Sequence, residues 1–238
     1  MTDCAWLALL ALLLPALASA QGPTPGPIRL TFDALARDKP PPGFSTAVTG
    51  PGPPGVWVAR EDAGTGGKVL LQTNTDRTTG RFPICVYEGL LTHNAILSVR
   101  FQTLAGEVDQ AAGLVVRFRD KDNYYVARAN ALEDNVRLYK VIDGKREQFA
   151  GADVKVTSGA WHTLRLSLKR DDFEVWLDRR RLFAARDMTH EEAGEVGLWT
   201  ADCARGLPAA RRSSSVRERY SACRRRLFAS PPSSCSQR

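Results

Sequence analysis

Ala112 to Lys145 reads AGLVVRFRDKDNYYVARANALEDNVRLYKVIDGK, and the period of this run decides the class of fold. Apolar and polar residues alternate along most of it, the two-residue period of a half-buried strand. Arginines and tyrosines stand where a plain strand would carry small polar residues. Loop lengths fix which residues lie opposite each other. If Asp120–Asn123 forms a four-residue loop, Arg119 faces Tyr124, Arg117 faces Val126 and Val115 faces Arg128. A second such loop at Leu132–Asn135 sets Ala131 against Val136, Asn130 against Arg137 and Arg128 against Tyr139. Asp143-Gly144 is the strongest two-residue hairpin signal in the chain, and it places Lys140 against Glu147 and Leu138 against Phe149. These registers agree on one face of Leu114, Val116, Phe118, Tyr125, Ala127, Ala129, Ala131, Val136, Leu138, Ile142 and Phe149, a core. The other face holds Arg117, Arg119, Tyr124, Arg128, Asn130, Arg137 and Tyr139, interleaved with Val115, Val126 and Val141.

Working outward, the same short β-type runs recur: IRLTF, VWVAR, KVLLQTN, FPICVYE, AILSVRFQT, WHTLRLSLKR, FEVWL, RLFAA and GEVGLWT. No helix-length period interrupts them, and many short strands at regular spacing predict an all-β, two-sheet antiparallel sandwich or jelly roll. Asp171-Asp172 as a turn would pair Leu168 with Val175 and Leu166 with Leu177. Arg179-Arg180 would then pair Leu177 with Leu182 and Trp176 with Phe183. The run DKPPPGFSTAVTGPGPPG, Asp38 to Gly55, is too rich in Pro and Gly for a central strand and reads as a long surface loop or a pair of turns.

At 238 residues the chain suits one sizeable domain. Residues 1–20 carry an apolar run from Trp6 to Leu17 followed by Ala18-Ser19-Ala20, the small-x-small pattern of a signal peptide cleavage site, although Asp3 stands where a basic residue is usual. The expectation is export, with a mature chain from Gln21, a leader to residue 31, a secreted or periplasmic location and no later membrane span. The formal charge is +7, yet nine of the 33 basic and two of the 26 acidic residues lie from Ala201 onward, which leaves 24 of each sign before it. The body is neutral, which removes the electrostatic case for a nucleic-acid partner. Three of the five cysteines, Cys203, Cys223 and Cys235, also fall after residue 201, and Cys85 in RFPICVYEG reads as a buried small hydrophobe.

The phrases RFPICVYEG, VDQAAGLVVRFRDKDNYYVARANALEDNVRLYKV, GAWHTLRLSL, FEVWLDRRRLF and EEAGEVGLWT resemble a group of secreted bacterial proteins with a concanavalin A-like lectin/glucanase jelly roll, close to the 3-keto-disaccharide hydrolase (DUF1080) domain. The resemblance covers Phe32 to Asp202. It implies two antiparallel sheets, one of them concave, with ligands often held on the concave side, and it brings no transferable catalytic set. In that group a final strand follows GLWT. Here residues 203–238 are rich in Arg, Ala, Ser, Pro and Cys, with no alternating run. A shifted reading frame and a disordered basic tail both account for that break.

For chemistry, a jelly-roll glucanase carries its two carboxylates as Glu-x-Asp-x-x-Glu on one strand, and Glu107-Val108-Asp109 supplies only the first half, since Ala112 stands at the third position. That pair reads as part of a solvated loop. Asp120-Lys121-Asp122-Asn123 reads as a turn rather than a Ca²⁺ loop, and His162, in register with Leu164, Leu166 and Leu168, as a satisfied core histidine. No metal or cofactor set is expected, and the catalytic residues, if any, stay unassigned. What packing leaves unexplained is Arg117, Arg128, Asn130, Arg137 and Tyr139, with no acid on their strands to pair the arginines. Planar donors and an aromatic ring suit a carbohydrate or glycan partner. A solvent-facing sheet covered by long side chains would use the same residues. The expected function is a secreted carbohydrate-binding sandwich; the alternatives are a hydrolase or lyase on 3-keto-glycosides and an envelope protein without ligand. Trp161, Trp176 and Trp199 read as stacking platforms or as core.

Overall fold

The computed structural model describes residues 26–62, 66–104 and 109–201, with the backbone of 207–211 and 214–216. The predicted signal peptide and Glu107 lie outside the described residues. The strands in chain order are β1 (Ile28–Leu30), β2 (Phe44–Thr49), β3 (Trp57–Asp62), β4 (Gly67–Gln72), β5 (Phe82–Thr92), β6 (Ala95–Gln102), β7 (Ala111–Asp120) and β8 (Asn123–Asn130). They continue with β9 (Asn135–Ile142), β10 (Lys145–Asp153), β11 (Trp161–Lys169), β12 (Asp172–Leu177), β13 (Arg180–Arg186), β14 (Gly194–Thr200), β15 (Leu207–Arg211) and β16 (Ser214–Val216). There is no helix among the described residues. The first large sheet runs β10-β9-β8-β7-β14-β5-β2, the second β13-β12-β11-β6-β15-β4-β3, and β1 pairs with β16; all pairings are antiparallel. The expected all-β sandwich is what the chain forms.

The inner faces of the two sheets meet in a core that includes Leu70, Leu97, Phe101, Leu138, Leu164 and Phe173, with Cys85 fully buried among them. Leu114, Val116, Tyr125, Ala127, Ala129, Val136 and Leu138 take the expected core positions, and Ala131 and Phe149 pack against them. His162 is satisfied as expected: its Nδ1 lies 2.6 Å from Asp178 and its Nε2 3.1 Å from the Thr157 carbonyl.

The Asp143-Gly144 turn forms with both residues at positive φ, and Lys140 pairs with Glu147 as predicted; a bulge then sets Leu138 against Ala150 instead of Phe149. Elsewhere the turns begin one residue earlier than expected, because the residues that take positive φ are Arg170 in one hairpin and Asp178 and Arg179 in the next, with no glycine to mark them. Leu168 therefore pairs with Phe173, and Trp176 with Arg181. In β8 and β9 the register is also displaced by two, with Arg128 opposite Arg137 and Asn130 opposite Asn135. An even displacement keeps every side chain on its face.

The larger correction is in β7. Asp120 pairs with Asn123 and Val116 with Tyr125, so residues are inserted between the two pairs, and Arg117 there has φ +49°. This bulge sends Phe118 out of the core to pack near Tyr124 on the opposite face, ring centroids 5.9 Å apart. Ile142, also placed in the core by the sequence, is only half-buried and joins neither cluster.

Two further segments differ from expectation. The Pro- and Gly-rich run does contain a strand, β2, whose six residues FSTAVT hold no proline, and it occupies the edge of the first sheet, where flanking prolines cost no ladder bond. The chain beyond Thr200, read as lacking a strand, supplies β15: Leu207 pairs with Gln72, Pro208 with Leu71, and Arg211 with both Val69 and Arg100. Edges β4 and β6 present unpaired backbone groups, and ladder bonds ask little of side-chain pattern.

A polar network closes one end of the sandwich. Tyr125 donates to Asp187 at 2.7 Å, the Lys140 ammonium lies 3.2 Å from the same carboxylate, and the His190 N–H donates to the Tyr125 hydroxyl at 2.9 Å. Burial pushes the Asp187 carboxyl up, but hydrogen bonds from Thr189, Tyr125 and Lys140 outweigh it and hold the group down at about 2. A carboxylate lowered in the fold stabilises it above its unfolded value, near 3.8, and that stabilisation disappears as pH falls toward 2. The expected contribution is about 1–2 kcal/mol after solvent screening. Urea unfolding at pH 7 and pH 3 checks this: Asp187→Asn should narrow the gap between the two pH values, and an unchanged gap would remove Asp187 from the acid response.

Candidate functional site

The first sheet is strongly bowed. Five strand steps separate β10 from β5, about 24 Å in a flat sheet, yet the Arg146 guanidinium of β10 lies 4.3 Å from the Phe82 ring centroid of β5. At the same concave side Thr49 of β2 meets the Tyr124 hydroxyl of β8 at 2.7 Å. This concavity is not the polar surface that alternation suggested. It contains a second buried cluster, including Ile84, Val86, Val115, Phe118, Val126 and Trp199.

Polar groups gather at one end of it. One row of cross-strand partners runs Ile84, Trp199, Gly113, Arg128, Arg137, Gly151, and the next runs Ala111, Asn130, Asn135, Asp153. The two glycines make the first row possible. A Cβ at Gly113 would stand 3.3 Å from the Trp199 ring, and one at Gly151 would stand 2.5 Å from Cδ of Arg137.

Arg128 is the centre. It is 4% exposed, and it donates to Glu133 at 2.8 Å, to the Tyr139 hydroxyl at 3.0 Å and to Asn135 Oδ1 at 3.2 Å. Asn135 in turn donates to the same Glu133 oxygen at 2.9 Å. Burial works against the Arg128 charge, but Glu133 and Tyr139 outweigh it and raise its pKa. For Glu133, burial is likewise outweighed by the bonds from Arg128 and Asn135, which hold the carboxyl below its usual range. The Arg128 Nε is buried without a hydrogen-bond partner among the described residues.

Asp109 enters beside this group. Its Oδ1 accepts from Asn130 Nδ2 at 2.6 Å, and burial pushes its carboxyl up to about 6 against the pull of Arg128 and Arg146. Arg146 completes the arrangement, its guanidinium 4.3, 4.5 and 5.8 Å from the ring centroids of Phe82, Tyr139 and Trp199. Those rings hold a cation, and Phe82 stacks on Trp199 at 5.3 Å. Trp199 is 1% exposed, so it is not an open stacking platform. Trp161 and Trp176 are on the second sheet, capped by Arg100 and Arg165 at 5.4 and 4.7 Å.

Of the five residues singled out from sequence, Arg128 and Tyr139 meet directly. Asn130 is spent on shaping the site: besides holding Asp109, its Oδ1 accepts from the backbone N–H groups of Leu132 and Glu133 at 2.9 and 3.3 Å. Arg137 forms a rim pair with Asp153 at 2.5 Å. Arg117 is elsewhere. The bulge turns it away, and its buried guanidinium donates to the carbonyls of His93, His190 and Arg170. The expectation of unpaired arginines is corrected as well: Glu133, from a loop, pairs Arg128, Asp153 at the end of β10 pairs Arg137, and Asp109, from another loop, adds its charge nearby. Arg146 lies within the predicted hairpin, between Lys145 and Glu147, but was not singled out in sequence.

No family model and no curated protein sequence matches the chain. Among solved structures it is similar to a carbohydrate binding module, CBM66, from Bacillus subtilis, at 20% identity over 71% of this chain and 92% of that one, TM-score 0.57. The β-glucanase of Bacillus licheniformis matches at 10% identity over 83% and 100% of the two chains, TM-score 0.53. The exoplasmic/lumenal domain of VIP36 in a Ca²⁺- and mannose-bound form matches at 11% over 78% and 87%, TM-score 0.52. At these identities the likeness concerns the fold, the concanavalin A-like lectin/glucanase jelly roll.

Proposed function

We propose that this chain binds carbohydrate at the polar end of the concave sheet, around Arg128, Glu133, Asn135 and Asp109. The observation that carries the reading is Arg128: a buried guanidinium, fixed by three side chains including the Glu133 carboxylate, with the Asp109 carboxyl near enough to feel its charge. A fixed set of planar donors and charged acceptors is what vicinal sugar hydroxyls bind, and the rigid sheet holds it in place with little ordering cost on binding. Proteins of the same fold include one named a carbohydrate binding module and one solved with mannose, which supports the reading. Recognition here rests on hydrogen bonds rather than ring stacking, since the aromatic rings are occupied by Arg146. Export before function is part of the proposal, with a mature chain starting at Gln21; mass spectrometry of the secreted protein tests it.

A glycan array on the full chain tests the binding reading. Arg128→Ala should weaken the best glycan by at least about thirtyfold, and Asn135→Ala, at a residue that belongs to neither apolar cluster, by about tenfold. Binding untouched by both, or no binding to any glycan, would end it.

One observation favours a second reading, a sugar-active enzyme of the 3-keto-disaccharide hydrolase kind. Asp109 is raised to about 6 while Glu133 is lowered, and carboxyls driven apart in this way suit an acid and a base. Turnover of 3-keto-glucosides that is lost in Asp109→Asn supports it; absence of turnover excludes it.

A further inference from the structure

Arg146 differs from its neighbours in the site. Arg128 has Glu133 and Arg137 has Asp153, but Arg146 makes no hydrogen bond or ion pair among the described residues. Its Nη1 is sealed from solvent with no acceptor, Nε and Nη2 make no hydrogen bond among the described residues, and the residue as a whole is only half-buried. Burial lowers its pKa, and the nearby charge of Arg128 acts in the same direction. Three aromatic rings fix the guanidinium plane in place, so its open edge is a preorganised two-donor fork. A ring quadrupole only partly offsets the loss of water around a cation. Such a fork matches one partner best, a carboxylate taken bidentately.

We infer that the sugar taken by this site is acidic, a uronic acid residue whose carboxylate docks on the open edge of Arg146 while Arg128, Glu133 and Asn135 hold its hydroxyls. This rests on the carbohydrate reading above. Asp109 then acts as the competitor. Glu133 is ionised throughout, and Arg128 and Arg146 face the same space; an ionised Asp109 adds a further negative charge beside the docking carboxylate, and a protonated one does not. Because burial raises Asp109 to about 6, it is charged at pH 7.5 and neutral at pH 5. A uronate remains ionised at both. Affinity for the acidic sugar should therefore rise as pH falls across this window, by about five- to tenfold at an effective dielectric near 20.

The test is titration calorimetry of the full chain with oligogalacturonate, oligoglucuronate and oligomannuronate, each against its methyl ester, at pH 7.5 and pH 5. The expected result is one acid binding at least tenfold tighter than its ester, with the preference lost in Arg146→Gln and only partly restored in Arg146→Lys, which returns the charge without the two-donor fork. In Asp109→Asn the acid should bind at pH 7.5 as tightly as the parent does at pH 5, and the pH dependence should vanish. This second variant reads the idea even if Arg146→Gln folds poorly. Esters or neutral glycans bound as well as the acids would overturn the inference and leave carbohydrate binding standing. No binding to acids, esters or any arrayed glycan would overturn both.

Discussion

Arg117→Met is expected to cost about 3–5 kcal/mol of unfolding free energy, among the largest effects of any single substitution in this chain. Arg117 is 2% exposed, and it gathers three carbonyls from separate turns: His93 after β5, Arg170 after β11 and His190 before β14. These turns belong to both sheets, so one guanidinium ties the two layers together at this end. Methionine fills the volume but leaves the three carbonyls without this donor, the His190 carbonyl in a fully buried position. Arg117→Gly separates the contributions. It loses the same bonds but removes the cost of φ +49°, about 1 kcal/mol for a residue with a Cβ, and should be slightly less damaging than its missing side chain implies. Urea unfolding of the three proteins checks this. A loss under 1 kcal/mol for Arg117→Met would mean that the turns are held by other contacts.

Gly194→Ala should be damaging to a similar degree for a purely steric reason. An added Cβ would lie 2.3 Å from the carbonyl carbon of Arg117, 2.6 Å from its Cα and 2.6 Å from the Phe118 nitrogen. All three are backbone atoms of the bulge and cannot rotate aside, so the bulge or the start of β14 must shift, at a cost of about 3 kcal/mol or more. Gly159→Ala is the control. Its φ is +75° but nothing stands within 4 Å of the added carbon, and it should cost only about 1–2 kcal/mol. Equal losses for the two alanines would show that the bulge gives way to the added carbon and that this contact does not set the value at Gly194.

The same bulge explains much of what could and could not be read from the amino acids. Alternation identified the strands and the face of nearly every residue between Val126 and Leu138, because errors of two in register leave faces unchanged. Arg117 and Phe118 were misassigned because the bulge breaks the alternation at Arg117, whose φ is +49°, and carries no glycine to mark it. Hairpins were placed correctly where Asp-Gly marks the turn and one residue late where Arg170 or Asp178-Arg179 takes positive φ without any compositional sign. In the site, strand residues such as Arg128 and Tyr139 were legible. The residues that complete it, Asp109, Glu133 and Arg146, depend on loop paths and on the curvature that brings β10 to β5. Neither has a signature in local sequence.

The position of β15 bears on how the molecule is made. Leu207 pairs with Gln72, 135 residues earlier in the chain, and without that strand the second sheet is two separate pieces, β3-β4 and β6-β11-β12-β13. Loop entropy for such a span grows only with the logarithm of its length, so the final stability is little affected. The rate is affected more, since contacts this distant in sequence slow the approach to the transition state. Stopped-flow refolding should therefore show the first sheet, whose β7-β8-β9-β10 meander is entirely local, gathering before the second. In that interval the exposed edges of β4 and β6 are open to pairing with another chain.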